Sequence, residues 1–379
     1  MKKLVLKKIL IDCLFFFFIS LFSASIIIWV FQAVNYLDII IEDGRDYFVY
    51  LNYTLLNFPK IISRILPFAF FFSFLFTINK YETNNELIIF WNFGFEKIKF
   101  VNFFFKFSIF LLLFQIFLTA IIVPYTQNIS RSYLKTSNIN MFENFIKPKK
   151  FNDTIKGLTI YADKKNENGF LENIYLKQIV NNESKKITFA KRGKFQTMND
   201  INLLVLFEGE TITFQRNNIT SFTFSKSDFN LDGLNSNTIL NTKTQEYSSK
   251  DLILCAISLS NEKYSKLYKE RIGYSNCKKE NMDNIYAELY KRIIIPFYIP
   301  ILMLICTGIL ATSKENLNYL KFKFLIYFFG FITIIISETS LRFVSGQFYY
   351  NMNLVTIPFL TIIFLYTILY FKFNFKKLN

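Results

Sequence analysis

Residues 13–37 read CLFFFFISLFSASIIIWVFQAVNYL and contain no charged side chain. About 20 consecutive apolar residues are enough for a helix to cross the hydrocarbon core of a bilayer. A cleaved signal peptide is the alternative, because the preceding residues MKKLVLKK are basic. The apolar run is too long for a signal peptide, and no cleavage site of small residues follows it. We therefore predict that this run is a membrane-spanning helix.

Five further charge-free runs follow the first. The second run lies between Arg64 and Lys80, and its helix is expected to begin earlier, near Tyr53. The others lie between Lys106 and Arg131, between Arg292 and Lys314, between Lys323 and Glu338, and between Arg342 and Lys372. The whole chain is 52% hydrophobic and 19% charged, whereas a soluble domain usually has about 25% charged residues. The sequence therefore predicts a polytopic α-helical membrane protein with six transmembrane helices.

The lysine and arginine residues of the short loops predict the orientation, because such residues concentrate on the cytoplasmic side. The N-terminus, the loops after the second and fourth runs, and the C-terminus are rich in lysine. The short loops on the other side carry only Arg45 and Arg342 as basic residues. Both termini are therefore predicted to be cytoplasmic, and the long segment between the third and fourth helices is predicted to be external.

The external segment is polar and carries the period-two alternation of β-strands. The alternating stretches are GLTIYAD from Gly157, FLENIYLKQIV from Phe170, KITFAKRGKF from Lys186, LLVLFEGETITF from Leu203 and ITSFTFSKSDF from Ile219. Asparagine-rich turns separate them. Short strands at this spacing are typical of an all-β sandwich or jelly roll. We therefore predict a large all-β, jelly-roll-like domain inserted between helices 3 and 4.

These patterns divide the chain into four parts. The first part, residues 1–124, holds transmembrane helices 1–3 and a short loop helix near 84–94. The β domain follows at residues 125–246, and a helical connector occupies residues 247–290. Helices 4–6 form the last part, residues 291–379. The boundary at 247 rests on the change from an alternating to a helical pattern at Ser248.

Composition excludes several kinds of chemistry. Histidine is absent, which excludes histidine-based zinc sites, Ser-His-Asp or Cys-His nucleophiles and histidine pH switches. The 11 glycines never form GxxxxGK[ST] or GxGxxG. We therefore expect no cofactor and no metal in this chain, and any ATP-driven work requires a partner subunit that binds ATP.

The four cysteines show no CxxC spacing, so a metal or redox motif is not supported. Cys13 and Cys306 fall in apolar runs, where a thiol acts as a small apolar side chain. Cys255 and Cys277 can pair in an oxidising compartment. The sequence leaves open whether they do.

The loop after the second run, NKYETNNELIIFWNFGFEKIKF from Asn79, predicts a short amphipathic helix that ends at Gly94. Asn84 or Asn85 is the candidate N-cap, and an acidic Glu86 in the first turn suits the helix dipole. One interpretation is a helix that docks on a cytoplasmic ATPase through Glu86, Leu87, Phe90, Trp91 and Gly94. The other is an interfacial helix that places Trp91 at headgroup depth.

Several charged residues lie at the external membrane edge. Lys60 and Arg64 are four residues apart, as are Glu338 and Arg342, and Arg45 lies in the first external loop. Ionisable residues near spans are often functional, and basic ones suit the phosphate groups of a lipid. Self-paired or interfacial anchoring explains them equally well.

Taken in order, these segments resemble the LptF/LptG family of lipopolysaccharide-export ABC transporter permeases. The resemblance covers essentially the whole chain. The most specific segments are residues 66–100, similar to the family's second span and coupling helix, VPYTQNISRSYL from Val123, and AELYKRIIIPFY from Ala287. VNYLDIIIEDG from Val34 and KGLTIYA from Lys156 look more like the LptF branch than LptG.

The resemblance implies a non-catalytic inner-membrane subunit that extracts lipopolysaccharide and passes it to a periplasmic bridge toward the outer membrane. The implied partners are an LptG-like paralogous permease, an LptB-like ABC ATPase dimer, and LptC/LptA-like periplasmic jelly-roll proteins. Glu86 matches the acidic coupling-helix residue of the family. The family's lipid-contacting residues do not map onto this chain, so Arg45, Lys60, Arg64, Glu338 and Arg342 rest on position alone.

The alternative hypothesis is a membrane-bound transferase that modifies an envelope lipid. Such an enzyme needs paired carboxylates or metal ligands at the membrane edge. Asp228 and Asp232 are four residues apart in a turn-rich segment, but no catalytic constellation surrounds them. Co-purification with an ATPase supports the first hypothesis, whereas lipid turnover by the chain alone supports the second.

Overall fold

The computed structural model describes residues 2–37, 47–136, 146, 148–155, 157–166, 169–181, 184–198, 201–215, 218–230, 243–260, 277–312 and 314–375. The chain forms two compact units. The first unit, here called the helical unit, comprises Met1–Phe31, Asn57–Asn128 and Thr242–Asn379. The second, the sheet unit, comprises Gln32–Leu56 and Ile129–Asn241.

Within the part of the chain that the structure describes, six helical stretches are long and apolar enough to cross a membrane. We number them as spans 1–6: Leu4–Asn35, Tyr47–Thr83, Lys97–Tyr133, Lys279–Ala311, Tyr319–Phe343 and Phe348–Asn374. The α-helices themselves run Lys2–Asn35, Tyr47–Thr83, Glu86–Asn92, Lys97–Phe117, Val123–Thr136, Ser249–Ser260, Met282–Ile293, Tyr298–Thr307, Tyr319–Thr339 and Phe348–Phe375. The predicted six-span architecture is confirmed.

Span 4 has the largest buried share of the six, and span 6 the smallest. The main core of the helical unit is dominated by phenylalanine, including Phe70, Phe74 and Phe104, which pack as neighbouring rings. Gly330 of span 5 permits a close approach to Phe71 of span 2, because a Cβ atom at that position would lie 2.2 Å from the Phe71 ring. Phenylalanine packing therefore joins span 2 to spans 3 and 5.

Span 3 contains a π-helix at Leu118–Ile122, which joins the α-helices Lys97–Phe117 and Val123–Thr136. A π-helix disturbs the regular pattern of backbone hydrogen bonds, and such segments often occur at functional sites. Side chains bond to the backbone around it. Ser249 Oγ donates to the carbonyl of Ala120 at 2.5 Å, and Thr119 Oγ1 donates to the carbonyl of Arg292 at 2.8 Å. These contacts tie span 3 to span 4 and to the helix Ser249–Ser260.

The sheet unit contains one six-stranded antiparallel sheet in which each strand pairs with the next along the chain. The strands are β1 Asn152–Ile155, β2 Leu158–Lys165, β3 Phe170–Asn181, β4 Ser184–Met198, β5 Ile201–Gln215 and β6 Asn218–Asn230. Strands β2–β6 coincide with the five predicted stretches, and β1 is additional. The predicted fold class is confirmed, and the described strands form a meander within a single sheet.

The sheet alternates between two faces, as strand geometry requires. Leu158, Ile160 and Ala162 of β2 are buried and pack with apolar residues of β3–β5. The opposite face carries a row of aromatic rings across neighbouring strands. Tyr161, Tyr175 and Phe189 pair directly in the register, and the Tyr175 and Phe189 ring centroids are 5.3 Å apart.

Cys255 and Cys277 form a disulfide with Cα atoms 6.0 Å apart, which answers the question that the sequence left open. The bond attaches the helix Ser249–Ser260 to the segment just before span 4. A small cluster around it buries Tyr247, Leu252 and Ile285. Cys13 and Cys306 are free and buried.

Replacing both disulfide cysteines by serine is expected to lower the free energy of unfolding by about 3 kcal/mol, because an open loop gains entropy in the unfolded chain. Thermal unfolding of the purified protein in detergent measures the effect. Reductant should lower the stability of the native protein to that of the double variant and leave the variant unaffected. Equal unfolding of the native protein and the variant without reductant would contradict this expectation.

Candidate functional site

The short helix Glu86–Asn92 lies between spans 2 and 3. Its inner face consists of Leu87, Phe90 and Trp91, whose spacing of three and four residues puts them on one side of a helix. Leu87 is only 3% exposed, and Phe90 and Trp91 pack against the main core. Of the residues predicted for ATPase contact, these three therefore face the protein's own interior.

The outer face of this helix was missed by sequence reasoning. Ile88, Ile89 and Phe93 are exposed, and Phe93 has 79% of its surface free. Glu86 is half-buried at the start of the helix, where its Oε1 accepts a hydrogen bond from Asn84 Nδ2 at 3.1 Å. The sequence could have revealed this exposed face, because the positions between the inner residues Leu87, Phe90 and Trp91 must point outward on a helix.

Two residues with a left-handed backbone conformation flank the helix Glu86–Asn92. Gly94 has φ +68°, a conformation that glycine adopts without steric cost. Asn85 has φ 60° and immediately precedes Glu86, but its side chain does not cap the helix. Its Oδ1 instead accepts a hydrogen bond from Lys314 Nζ at 3.2 Å. Asn85 thus occupies the predicted N-cap position, but its side chain contacts the loop between spans 4 and 5 instead of the helix.

A buried arginine lies at the centre of a hydrogen-bonded cluster in the helical unit. Arg292 is 2% exposed, and its Nε donates to Glu288 Oε1 at 3.0 Å. Nη1 donates to the Tyr247 carbonyl and to Ser249 Oγ, both at 2.9 Å, and Nη2 donates to the Gln245 carbonyl at 3.0 Å. These bonds satisfy four donors of a charge that would otherwise be costly to bury.

Lys60 joins the same cluster. Its Nζ donates to Gln245 Oε1 at 3.2 Å and to Gln127 Oε1 at 3.4 Å, and Gln127 Nε2 donates to Asn57 Oδ1 at 2.6 Å. Arg64 lies beside Lys60 and is exposed. The sequence pair Lys60 and Arg64 is therefore brought together at one site.

Two further residues of this cluster were not predicted from the sequence. Lys291 Nζ lies 3.8 Å from Glu288 Oε2, and Arg292 is the buried arginine. Among the described residues that line this cluster, the four basic residues Lys60, Arg64, Lys291 and Arg292 are accompanied by one acid, Glu288. Lys291 also interacts electrostatically with Glu338. The signal in the sequence was the spacing of Glu288 and Arg292, which is that of an ion pair on one helical face.

The other predicted lipid contacts are arranged differently. The α-helix of span 5 ends at Thr339, and Arg342 lies in the 3-10 turn Ser340–Phe343. Glu338 and Arg342 are both exposed, do not share an α-helical face, and form no ion pair within the described residues. The self-pairing that the sequence allowed as an alternative for these two residues is therefore not observed, and their contact with a lipid stays a prediction. Arg45 lies outside the described residues.

A shallow groove crosses the aromatic face of the sheet between β2 and β6. Tyr161, Tyr175 and Phe189 line it together with Lys191 and Glu208. Lys191 Nζ donates to Glu208 Oε2 at 2.9 Å, which lowers the pKa of that carboxyl group. The groove offers an apolar floor with a charged pair beside it.

The described residues contain no cluster of three or more His, Cys, Asp or Glu side chains arranged to hold a metal ion. Of the acid pair considered for a transferase, Asp228 lies in β6, and Asp232 falls outside the described residues.

Comparison with known proteins identifies related sequences. A family model described as "Lipopolysaccharide export system permease LptF/LptG" matches residues 8–372. A protein of Rickettsia prowazekii (strain Madrid E), described as "Uncharacterized protein RP871", is 22% identical over 284 residues, which cover 73% of each of the two chains. The family match extends from the first span to the sixth and includes the whole sheet.

Proposed function

Because the chain belongs to the LptF/LptG family of lipopolysaccharide export permeases, we propose that it is a permease subunit of an ATP-driven exporter. In this role it extracts lipopolysaccharide from the inner membrane and passes it to a periplasmic bridge that leads to the outer membrane. The family match over nearly the whole chain carries the proposal. The six spans with a sheet inserted between the third and fourth agree with it.

In the proposed orientation both termini are cytoplasmic and the sheet unit is periplasmic. The lysine-rich loops support this orientation. The disulfide between Cys255 and Cys277 gives independent support, because disulfides persist in oxidising compartments such as the periplasm. Along the chain, both cysteines lie between the sheet and span 4. In the orientation that the loop lysines support, this segment is periplasmic.

The proposed energy source is a separate ATPase of the LptB type, since the sequence holds no phosphate-binding loop. Its contact on this chain is the short helix Glu86–Asn92, for which we adopt the family's name of coupling helix. Glu86 supplies the acidic group that meets a basic residue of the ATPase. Ile88, Ile89 and Phe93 supply exposed apolar surface on the same side.

The proposed contact with the lipid headgroup is the cluster around Arg292. Its basic residues outnumber its acids, and arginine and lysine are the side chains that bind phosphate. Arg64 is exposed, so it is the member best placed to reach a ligand. Lys60 and Arg292 are held by internal hydrogen bonds and contribute charge rather than direct contact.

The sheet unit is proposed to receive the acyl chains and to bind the bridge. The aromatic groove offers an apolar floor for acyl chains. Strand β6 ends the described sheet and has mostly exposed side chains, so its outer edge can pair with a strand of an LptC-like or LptA-like jelly roll. The other half of the transmembrane path is an LptG-like paralogue.

A reconstitution experiment tests this function. The chain is co-expressed with its paralogue and the ATPase, purified, and placed in liposomes that contain lipopolysaccharide. We expect the three proteins to co-purify, and lipopolysaccharide to reach a soluble jelly-roll acceptor with ATP but not with a non-hydrolysable analogue. Failure to bind an ATPase, or covalent change of the lipid by this chain alone as seen by mass spectrometry, would favour the transferase instead.

A further inference from the structure

Two loops on the same side of the helical unit are cross-linked by lysine side chains. One loop joins spans 2 and 3 and holds the coupling helix, and the other joins spans 4 and 5. Lys97, the first residue of span 3, donates from Nζ to the carbonyl of Leu310 at 2.7 Å. Lys314 of the second loop donates from Nζ to the carbonyl of Thr83 at 3.3 Å and to Asn85 Oδ1 at 3.2 Å. Each lysine thus binds the backbone near the point where the other loop begins.

Two more hydrogen bonds run between the same elements. The hydroxyl of Tyr319 donates to Glu82, and Lys323 Nζ donates to Asn79 Oδ1. Tyr319 is buried and Glu82 is half-buried, so this contact is partly shielded from solvent. Span 2 and the start of span 5 are therefore joined beneath the lysine cross-links.

Lys97 also contacts the coupling helix itself. Its ammonium group lies 5.5 Å from the centroid of the Trp91 ring, within the range of a cation–π interaction. Trp91 belongs to the inner face of the coupling helix, and Leu310 lies in the last turn of span 4. One side chain thus touches both the helix that meets the ATPase and the end of span 4.

We propose that Lys97 and Lys314 are positioning residues that make the coupling helix and the loop between spans 4 and 5 move as one body. The polypeptide connects the coupling helix directly only to spans 2 and 3. Through the two lysines, a displacement of the helix by the ATPase also reaches spans 4 and 5. This inference rests on the proposed function, since it concerns how ATP-driven movement is distributed among the spans.

Hydrogen exchange of the purified chain tests the cross-links without any partner. The variant is Lys97→Met/Lys314→Met, because methionine keeps the apolar stem and removes the charged donor. We expect amide exchange in Glu86–Asn92 to become faster by about tenfold or more, as a helix loses charge-assisted bonds that hold it in place. Lys99→Met is the matched control, because Lys99 pairs with Glu96 of its own segment and is largely exposed. Unchanged exchange in the double variant would overturn the proposal.

The reconstituted exporter tests the transmission of movement. We expect the double methionine variant to assemble with the ATPase, and the lipopolysaccharide moved per ATP hydrolysed to fall about fivefold, a loss typical of weakened coupling between sites. Lys97→Arg/Lys314→Arg keeps the charged donors and should restore most of the ratio. If the double variant does not assemble, the ratio is measured for Lys314→Met alone.

The outcomes separate the two proposals. A native complex that neither binds an ATPase nor moves lipopolysaccharide contradicts the proposed function, while hydrogen exchange still decides whether the lysines hold the helix. A native complex that works, together with a methionine variant of unchanged transport per ATP, contradicts the positioning role. A loss that the arginine variant does not restore also contradicts it, because that loss would not depend on the charged donors.

Discussion

Replacement of Glu86 by lysine is expected to abolish assembly with the ATPase and, with it, lipopolysaccharide export. Reversing one charge of a buried interfacial ion pair costs several kcal/mol, so the affinity for the ATPase should fall by about 100-fold or more. The folded chain itself should survive, because Glu86 is half-buried and accepts a hydrogen bond only from the nearby Asn84 among the contacts described. Its favourable position in the helix dipole is worth only about 0.3–1 kcal/mol.

Co-purification of the ATPase with tagged Glu86→Lys protein measures the effect, and Glu86→Gln should give an intermediate loss. The matched control is Glu315→Lys, an exposed acid on the same side of the helical unit. A compensating basic-to-acidic substitution in the ATPase should restore assembly of the Glu86→Lys variant. Normal assembly and export by Glu86→Lys would show that the coupling helix meets its partner through other residues.

Replacement of Arg292 by methionine is expected to destabilise the protein by about 3–5 kcal/mol, the usual cost of breaking a buried ion pair on one side. The change removes the hydrogen bonds that Arg292 donates to the carbonyls of Gln245 and Tyr247. It also removes the ion pair of Arg292 with Glu288, whose contact with Lys291 is longer, at 3.8 Å. It also removes the hydrogen bond that Arg292 donates to Ser249, whose hydroxyl in turn donates to the π-helix of span 3. Three elements therefore lose contacts at once.

Denaturation of the purified protein in detergent measures this loss. Arg64→Met is the matched control, because Arg64 lies in the same cluster but is exposed, so its removal should change the free energy of unfolding by no more than about 0.5 kcal/mol. Glu288→Gln/Arg292→Met should cost less than the sum of the two single changes, since the residues contact each other. Equal stability of Arg292→Met and Arg64→Met would refute the structural role of Arg292.

The sequence was sufficient for the architecture because its signals are local. A charge-free run must form a helix to satisfy its backbone in a bilayer, and an alternating run suits a strand with one buried face. Strands β2–β6 therefore fall where the alternation predicts them. Strand β1 has only four residues, which is too short for an alternation to stand out, and the sequence did not reveal it.

The sites were harder to predict, because they depend on contacts between distant residues. Sequence reasoning used Arg292 as the boundary of the fourth span, since a charge is costly in an apolar run. The helical stretch that holds span 4 begins earlier, at Lys279, so Arg292 lies within it. Its buried charge is satisfied by carbonyls around residue 245, which no local pattern connects to it. The pairing of Lys314 with Asn85 likewise joins residues 229 positions apart in the chain.

The disulfide also constrains the order of events while the protein is being synthesised. Cys277 lies just before span 4, and Cys255 follows the sheet. In the proposed orientation, Cys277 reaches the periplasm only when span 4 arrives at the insertion machinery, after spans 1–3 and all six described strands have left the ribosome. Until then Cys255 has no partner for its thiol. Closure of the bond then depends on the oxidising capacity of the periplasm, and an expression host with a reducing periplasm would accumulate chains with an open disulfide.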